Sequence, residues 1–244
     1  ELALYRSATR GSSGSTLHSL LSERQVTRER RKRRRTYEGD IMMFGKNTHS
    51  DAVLHRIEEG SVGAEIGVWK GSSTEKFLTR QPSMLHLVDS WSVIPYQTNR
   101  EHGTYTNYLD RYAELTGGNT EEDFQRFYDK THDMVNLKYG LRDNVTLHRM
   151  MSDDWFAQAT LTLKEQLDWI YIDGDHSYKG VLRDLHNAWG LVKKGGYILG
   201  DDFKWPGQKW GKDGVHKAVC EFIRKKDINM KQEGKGTQFS ILKV

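Results

Sequence analysis

Cysteine is almost absent from this sequence: Cys220 stands alone among 244 residues. A single thiol excludes an internal disulfide and fits a reducing compartment, so a cytoplasmic location is expected. Long hydrophobic runs are also missing. No apolar stretch approaches the roughly 18 to 20 residues of a membrane span, so no spanning helix is expected. No secretory signal pattern is visible, and the first residue is Glu1, so the natural start is expected to be processed or missing. No internal repeat is found. The hydrophobic share of 36% is low, yet seven Trp and eleven Tyr are enough for an interior. A chain of this length buries one large core, or one core plus a tail.

The charge is unevenly placed. Of a formal +4, residues 1–40 hold ten Lys or Arg against five acids, which leaves the rest close to neutral. "RERRKRRR" at Arg28–Arg35 accounts for most of it. Such a block is either a solvated or assembly-related segment or a tail that meets a polyanion. Residues 1–40 are Ser/Gly-rich and then Arg-rich, with too little apolar surface to fold alone. They are read as an extension, and 41–244 as the main domain.

From about His49 the pattern becomes regular. "HSDAVLHRIEEG" reads as an amphipathic helix ended by Gly60, and "VGAEIGVWKGSSTEKFLTR" as strand, glycine turn and helix. "SMLHLVDSW", "NVTLHRMMSDDW", "QLDWIYIDGDH" and "GGYILGDDF" read as further strands, the second ending near Ser152 and Asp153. "YKGVLRDLHNAWGLV" and "GVHKAVCEFIRKKD" read as helices, and "INMKQEGKGTQFSILKV" as a terminal hairpin. The expected fold is α/β: a doubly wound, mostly parallel, Rossmann-like sheet with a C-terminal antiparallel hairpin. Ligands of such sheets sit outside the carboxyl ends of the strands. Here every candidate strand has an acid or glycine at that end: Glu65 with Gly67, Asp89, Asp153, Asp173 with Asp175, and Asp201 with Asp202.

The loop "AEIGVWKGSS" lets the backbone turn tightly at Gly67 and Gly71. It has neither the G-x-G-x-x-G spacing nor the lysine of a phosphate loop. Glu65 would repel a diphosphate, so a ligand with an amine-bearing part suits it better. Asp89 can accept hydrogen bonds from both hydroxyls of a ribose. Two segments are long for connections. Trp91–Asn144 carries Tyr96, Tyr105, Tyr108, Tyr112 and Tyr128, and Lys204–Gly214 carries Trp205 and Trp210. Each is either a lid over an acceptor or ordinary packing and oligomer contact.

Glu65–Gly71, Asp89, "DGDHSYKGVLRDL", "KKGGYILGDDF" and "GVHKAVCEF" together resemble the class I S-adenosylmethionine-dependent methyltransferases. The likeness is to the small-molecule branch grouped with macrocin and sugar O-methyltransferases and cephalosporin-hydroxylase-like proteins. It covers about residues 50–244. It implies that Glu65, Gly67, Gly71 and Ser72 line the methionine end of the cofactor, that Asp89 holds the ribose, and that Ser152 and Asp153 lie near the adenine. It also implies a cation, Mg²⁺, held by Asp173 or Asp175 with Asp201 and Asp202; the alternative leaves Asp173 to the cofactor and Asp201 as a helix cap. A cation would explain carboxylates so close together. His176 is the candidate general base, with Asp175 as the alternative; His216 and Lys204 lie near the same end. The function expected is metal-assisted O-methylation of a small hydroxylated or sugar-like acceptor. Two rivals stand: a non-catalytic assembly protein of this fold, and a nucleic-acid methyltransferase recruited by the basic arm. The second lacks an N/D-P-P-Y-like motif.

Overall fold

The stretch Leu167–Ile172 (LDWIYI) is apolar at nearly every position, the pattern of a strand covered on both faces. In the computed structural model it is the fourth strand of a seven-stranded sheet. The structure describes residues 49–98, 105–203, 214–234 and 237–244. The basic extension over 1–40, Lys204, Trp205 and Trp210 lie outside the described residues.

The strands are β1 (Val62–Ile66), β2 (Met84–Asp89), β3 (Val145–Arg149), β4 (Leu167–Ile172), β5 (Val192–Gly200), β6 (Met230–Glu233) and β7 (Gln238–Leu242). Their order is β3-β2-β1-β4-β5-β7-β6. The first five pair in parallel, and β7 runs antiparallel between β5 and β6. The hairpin read from the last residues therefore inserts its second strand next to β5. The helices are α1 (Ser72–Leu78), α2 (Ile94–Thr98), α3 (Tyr105–Thr116), α4 (Glu121–Tyr139), α5 (Ser152–Thr162), α6 (Tyr178–Leu191) and α7 (Gly214–Lys226).

Two apolar clusters cover the two faces. One joins β1, β4 and β5 to α5, α6 and α7 through Trp155, Phe156, Leu185, Val219 and Phe222. The other packs Phe77 of α1, Val135 and Tyr139 of α4, and Val53 and Ile57 against Trp169 and Tyr171. His49–Arg56 differs from the amphipathic α-helix expected. It is a 3-10 helix, and beyond its end the N–H of Ile57 reaches only to Leu54 O, 3.1 Å away. That tighter winding still buries both Val53 and Ile57.

The register brings the strand ends level. Ile66 lies opposite Val88 and Ile172, and Ile172 opposite Gly200. Strand order reverses between β1 and β4, so the loops after these two strands flank the crevice where such sheets bind ligands. The long segment between β2 and β3 supplies α2, α3 and α4. Among the described residues no helix is long and apolar enough to cross a membrane.

Candidate active site

The loop after β1 is held from three sides. Asp89, at the end of β2, accepts the N–H groups of Val68 (3.0 Å) and Trp69 (2.8 Å) on one oxygen and of Trp91 (2.7 Å) on the other. The Trp91 indole donates to Trp69 O at 2.9 Å, and Tyr139 of α4 donates its hydroxyl to Gly71 O at 3.0 Å. Gly67 has φ +90°, and a Cβ there would lie 2.2 Å from the carbonyl oxygen of Asp173. Only glycine allows the β1 and β4 loops to pack this closely. Gly71, also left-handed at φ +74°, precedes α1, and Ser72 is the exposed first residue of that helix.

Asp89 thus has a structural duty beyond the ribose contact expected of it. A carboxylate offers about four lone-pair sites. Three backbone N–H groups occupy much of that capacity. Burial pushes its pKa up, and the three backbone bonds and Arg149 oppose that. Glu65 is buried and accepts the Thr74 hydroxyl at 2.5 Å. Burial holds its carboxyl well above the usual carboxylate range.

Across the crevice, the loop after β4 carries the acids and the imidazole. His176 lies between two carboxylates: Nε2 is 3.3 Å from Asp173 Oδ1, and Nδ1 is 2.9 Å from Asp202 Oδ2. Burial opposes its positive charge, yet pairing with Asp173 and Asp202 keeps its pKa well above the ordinary 6.5. One donor atom from each of the three residues lies within 4.8 Å of the other two. The Asp202 oxygen is buried and, despite its short distance to His176, receives no well-aligned hydrogen bond.

The other two predicted metal acids stand outside this group. Asp175 turns to the start of α6, where it accepts Ser177 N–H at 2.9 Å. Asp201 accepts its neighbour's N–H, from Asp202, at 2.9 Å and lies 3.4 Å from the Tyr171 hydroxyl, which accepts from Gln238 at 3.1 Å. Asp202 has φ +58°, and this left-handed residue turns the second carboxylate of the pair toward His176.

A cavity of about 1270 Å³ runs between the two loops and under α2–α4. Glu65, Gly67, Ser72, Asp89, Ser152, Asp173, Asp175, His176 and Asp202 all line it. Gly71, Asp153, Asp201 and His216 are not in its lining. Ser152 opens α5 instead of ending β3. Its hydroxyl donates to Asp184 at 3.0 Å, while Arg183 lies 3.5 Å from the exposed Asp153. His216 packs on Phe203, ring centres 4.7 Å apart. The lining also includes Trp69, Lys70, Arg111, Phe127, Lys179 and Arg183, none of which was singled out from the sequence. Lys179 and Arg183 are four apart on α6, a spacing that puts them on one face and was legible.

Known proteins resemble this chain in fold and, over part of it, in sequence. A protein of Corynebacterium glutamicum of known structure superposes with a TM-score of 0.52 at 14% identity, covering 94% of this chain and 98% of its own. An O-methyltransferase from Bacillus cereus, solved in complex with SAH, gives 0.49 at 13% identity over 88% of this chain and 91% of its own. An uncharacterized protein of Acanthamoeba polyphaga mimivirus is 44% identical over 70 residues, 28% of this chain. The matched stretch spans 32% of that viral protein. The methyltransferase-domain family matches residues 64–203, from β1 to just past β5 and more than half of the chain. The chain therefore belongs to that family, as a class I S-adenosylmethionine-dependent methyltransferase.

Proposed function

We propose that this enzyme methylates a hydroxyl oxygen of a small acceptor, with a divalent cation at the acidic end of the cavity. The observation that carries the reading is the Asp173–His176–Asp202 group facing the glycine loop across one cavity. At about 1270 Å³ the cavity exceeds the roughly 300–1,000 Å³ of a single-ligand pocket, which leaves space for a cofactor and an acceptor side by side.

S-adenosylmethionine supplies an electrophilic methyl group on a sulfonium. The chain's part is to hold the cofactor with the loop that Asp89 fixes, and to bring the acceptor oxygen to the acids after β4. Asp173 and Asp202 would hold a cation, and their oxygens with the His176 nitrogen make a donor set that suits one. Two carboxylates suit Mg²⁺ or Mn²⁺, while an imidazole nitrogen favours Mn²⁺, Fe²⁺ or Zn²⁺ over Mg²⁺. A bound cation would lower the pKa of the acceptor hydroxyl. With a cation on Asp173 and Asp202, His176 would serve as a ligand and not as a base, so Asp175, which lines the same cavity, is the better candidate to take the acceptor's proton.

The test is methyl transfer from labelled S-adenosylmethionine to a panel of hydroxylated acceptors, with and without EDTA. Turnover that EDTA abolishes and Mn²⁺ or Mg²⁺ restores supports the reading. Turnover indifferent to EDTA removes the cation from it, and methylation of nucleic acid instead of small acceptors contradicts it.

A further inference from the structure

Strands β2 and β3 lie side by side at one end of the sheet, and one face of the pair carries Met84, His86, Thr146 and His148. Side chains two apart on a strand share a face, and Thr146 stands opposite His86 in the register. Leu85 and Leu87 point the other way and are buried, whereas Met84, His86 and His148 are half-buried and Thr146 is exposed. Solvent therefore reaches this face at the edge strand β3. None of the four residues lines the large cavity.

Three neutral donors gather there. His86 Nδ1 is 3.1 Å from His148 Nε2. The Met84 sulfur accepts the Thr146 hydroxyl at 3.7 Å, which places it next to the residue paired with His86. The Trp155 ring covers the inner side of both imidazoles, with centroids 6.0 Å from His86 and 5.9 Å from His148. Burial and the neighbouring ring lower the His86 pKa to about 4, and burial lowers that of His148, so both rings are neutral near neutral pH. Among the described residues no carboxylate acts on either ring, and each has the other as its one hydrogen-bond partner.

In such a pair one ring points its N–H at the lone pair of the other. Moving that proton to the outer nitrogen of the same ring frees both facing lone pairs, with no proton lost. Two nitrogens about 2 Å from one metal ion at a near-tetrahedral angle stand about 3.3 Å apart, close to the separation of this pair. Mg²⁺ and Ca²⁺ need oxygen ligands, which this face does not offer as carboxylates. A thioether beside imidazoles selects Cu(I). Methionine has the free torsions to bring its sulfur to an ion held by the two rings.

We propose that Met84, His86 and His148 form a binding site for a soft monovalent metal ion, Cu(I), separate from the acidic group at the cavity. The bound ion joins the edge strand β3 to β2 through side chains, beside the backbone hydrogen bonds of the sheet.

The experiment is anaerobic titration of the full chain with Cu(I) in competition with ferrozine, a coloured Cu(I) chelator. The expected result is that the wild-type chain withdraws one Cu(I) per molecule from the chelator. Met84→Leu, which nearly conserves side-chain volume, should weaken that binding at least about tenfold, and His148→Gln should abolish it. Cys220→Ser and Asp202→Asn should leave it unchanged. Failure of the wild-type chain to take Cu(I) overturns the inference, as does unchanged affinity in Met84→Leu or in His148→Gln. Loss of binding in Cys220→Ser or Asp202→Asn assigns the ion to another place and overturns it as well.

Discussion

At the scale of single residues, the most consequential is Asp89. Its carboxylate collects three backbone N–H groups from two loops. Asp89→Ala would leave those donors unmatched in a half-buried site, at a cost of about 1–3 kcal/mol. Urea denaturation should register that loss, and S-adenosylhomocysteine affinity should fall with it; intact stability would mean that water replaces the carboxylate. Gly67→Ala forces a φ of +90° on a residue whose Cβ meets Asp173 O, and should cost more than about 1 kcal/mol. A neutral result in the same assay would mean that the β1 and β4 loops separate freely. The acids themselves were legible in the sequence, since each ends a strand. Which acids converge was not. Asp201 and Asp202 are adjacent, and only the left-handed backbone at Asp202 decides that the second reaches His176. The doubly paired state of His176 was hidden for the same reason, because Asp202 lies far along the chain from it.

At the scale of elements, helix α4 holds the site's upper wall and starts with a capping box. Thr120 accepts the Asp123 N–H at 3.1 Å, and Asp123 accepts the Thr120 N–H at 3.3 Å. Thr120→Ala should destabilise by about 1 kcal/mol; no change in the urea midpoint would mean that the wall does not contribute to global stability. Strands β2 and β3 are joined by an imidazole pair, His86 Nδ1 lying 3.1 Å from His148 Nε2. Burial first, and His148 second, lower the His86 pKa from 6.5 to about 4. Between those values the unfolded chain binds more protons, so stability rises with pH through the window and is lost as pH falls through it. His86→Phe should flatten the stability profile between pH 4 and 6.5, and an unchanged slope would assign it to other groups. Most elements could be read in advance because buried parallel strands are continuous apolar runs. The start of α5 could not, since "MMSDDW" offers a strand end and a helix start with the same residues. The i, i+4 pairs Tyr108 with Tyr112 and Phe124 with Tyr128 mark ring-bearing helix faces, but no local pattern says that both faces border one cavity.

At the scale of the whole molecule, a reversal of strand order brings two loops together, and an insertion of three helices closes over them. The loops at the strand ends supply one side of the cavity, and the insertion the other. The central claim is that one cavity, framed by the loop that Asp89 fixes and by the Asp173–His176–Asp202 group, receives S-adenosylmethionine. The most direct measurement is calorimetric titration of the full chain with S-adenosylhomocysteine, beside Asp89→Ala and Leu161→Ala, the latter an exposed position outside the cavity lining. The account predicts one site per chain, an affinity at least about tenfold weaker in Asp89→Ala, and no change in Leu161→Ala. Absence of binding, or equal affinity in Asp89→Ala that still folds, would contradict it.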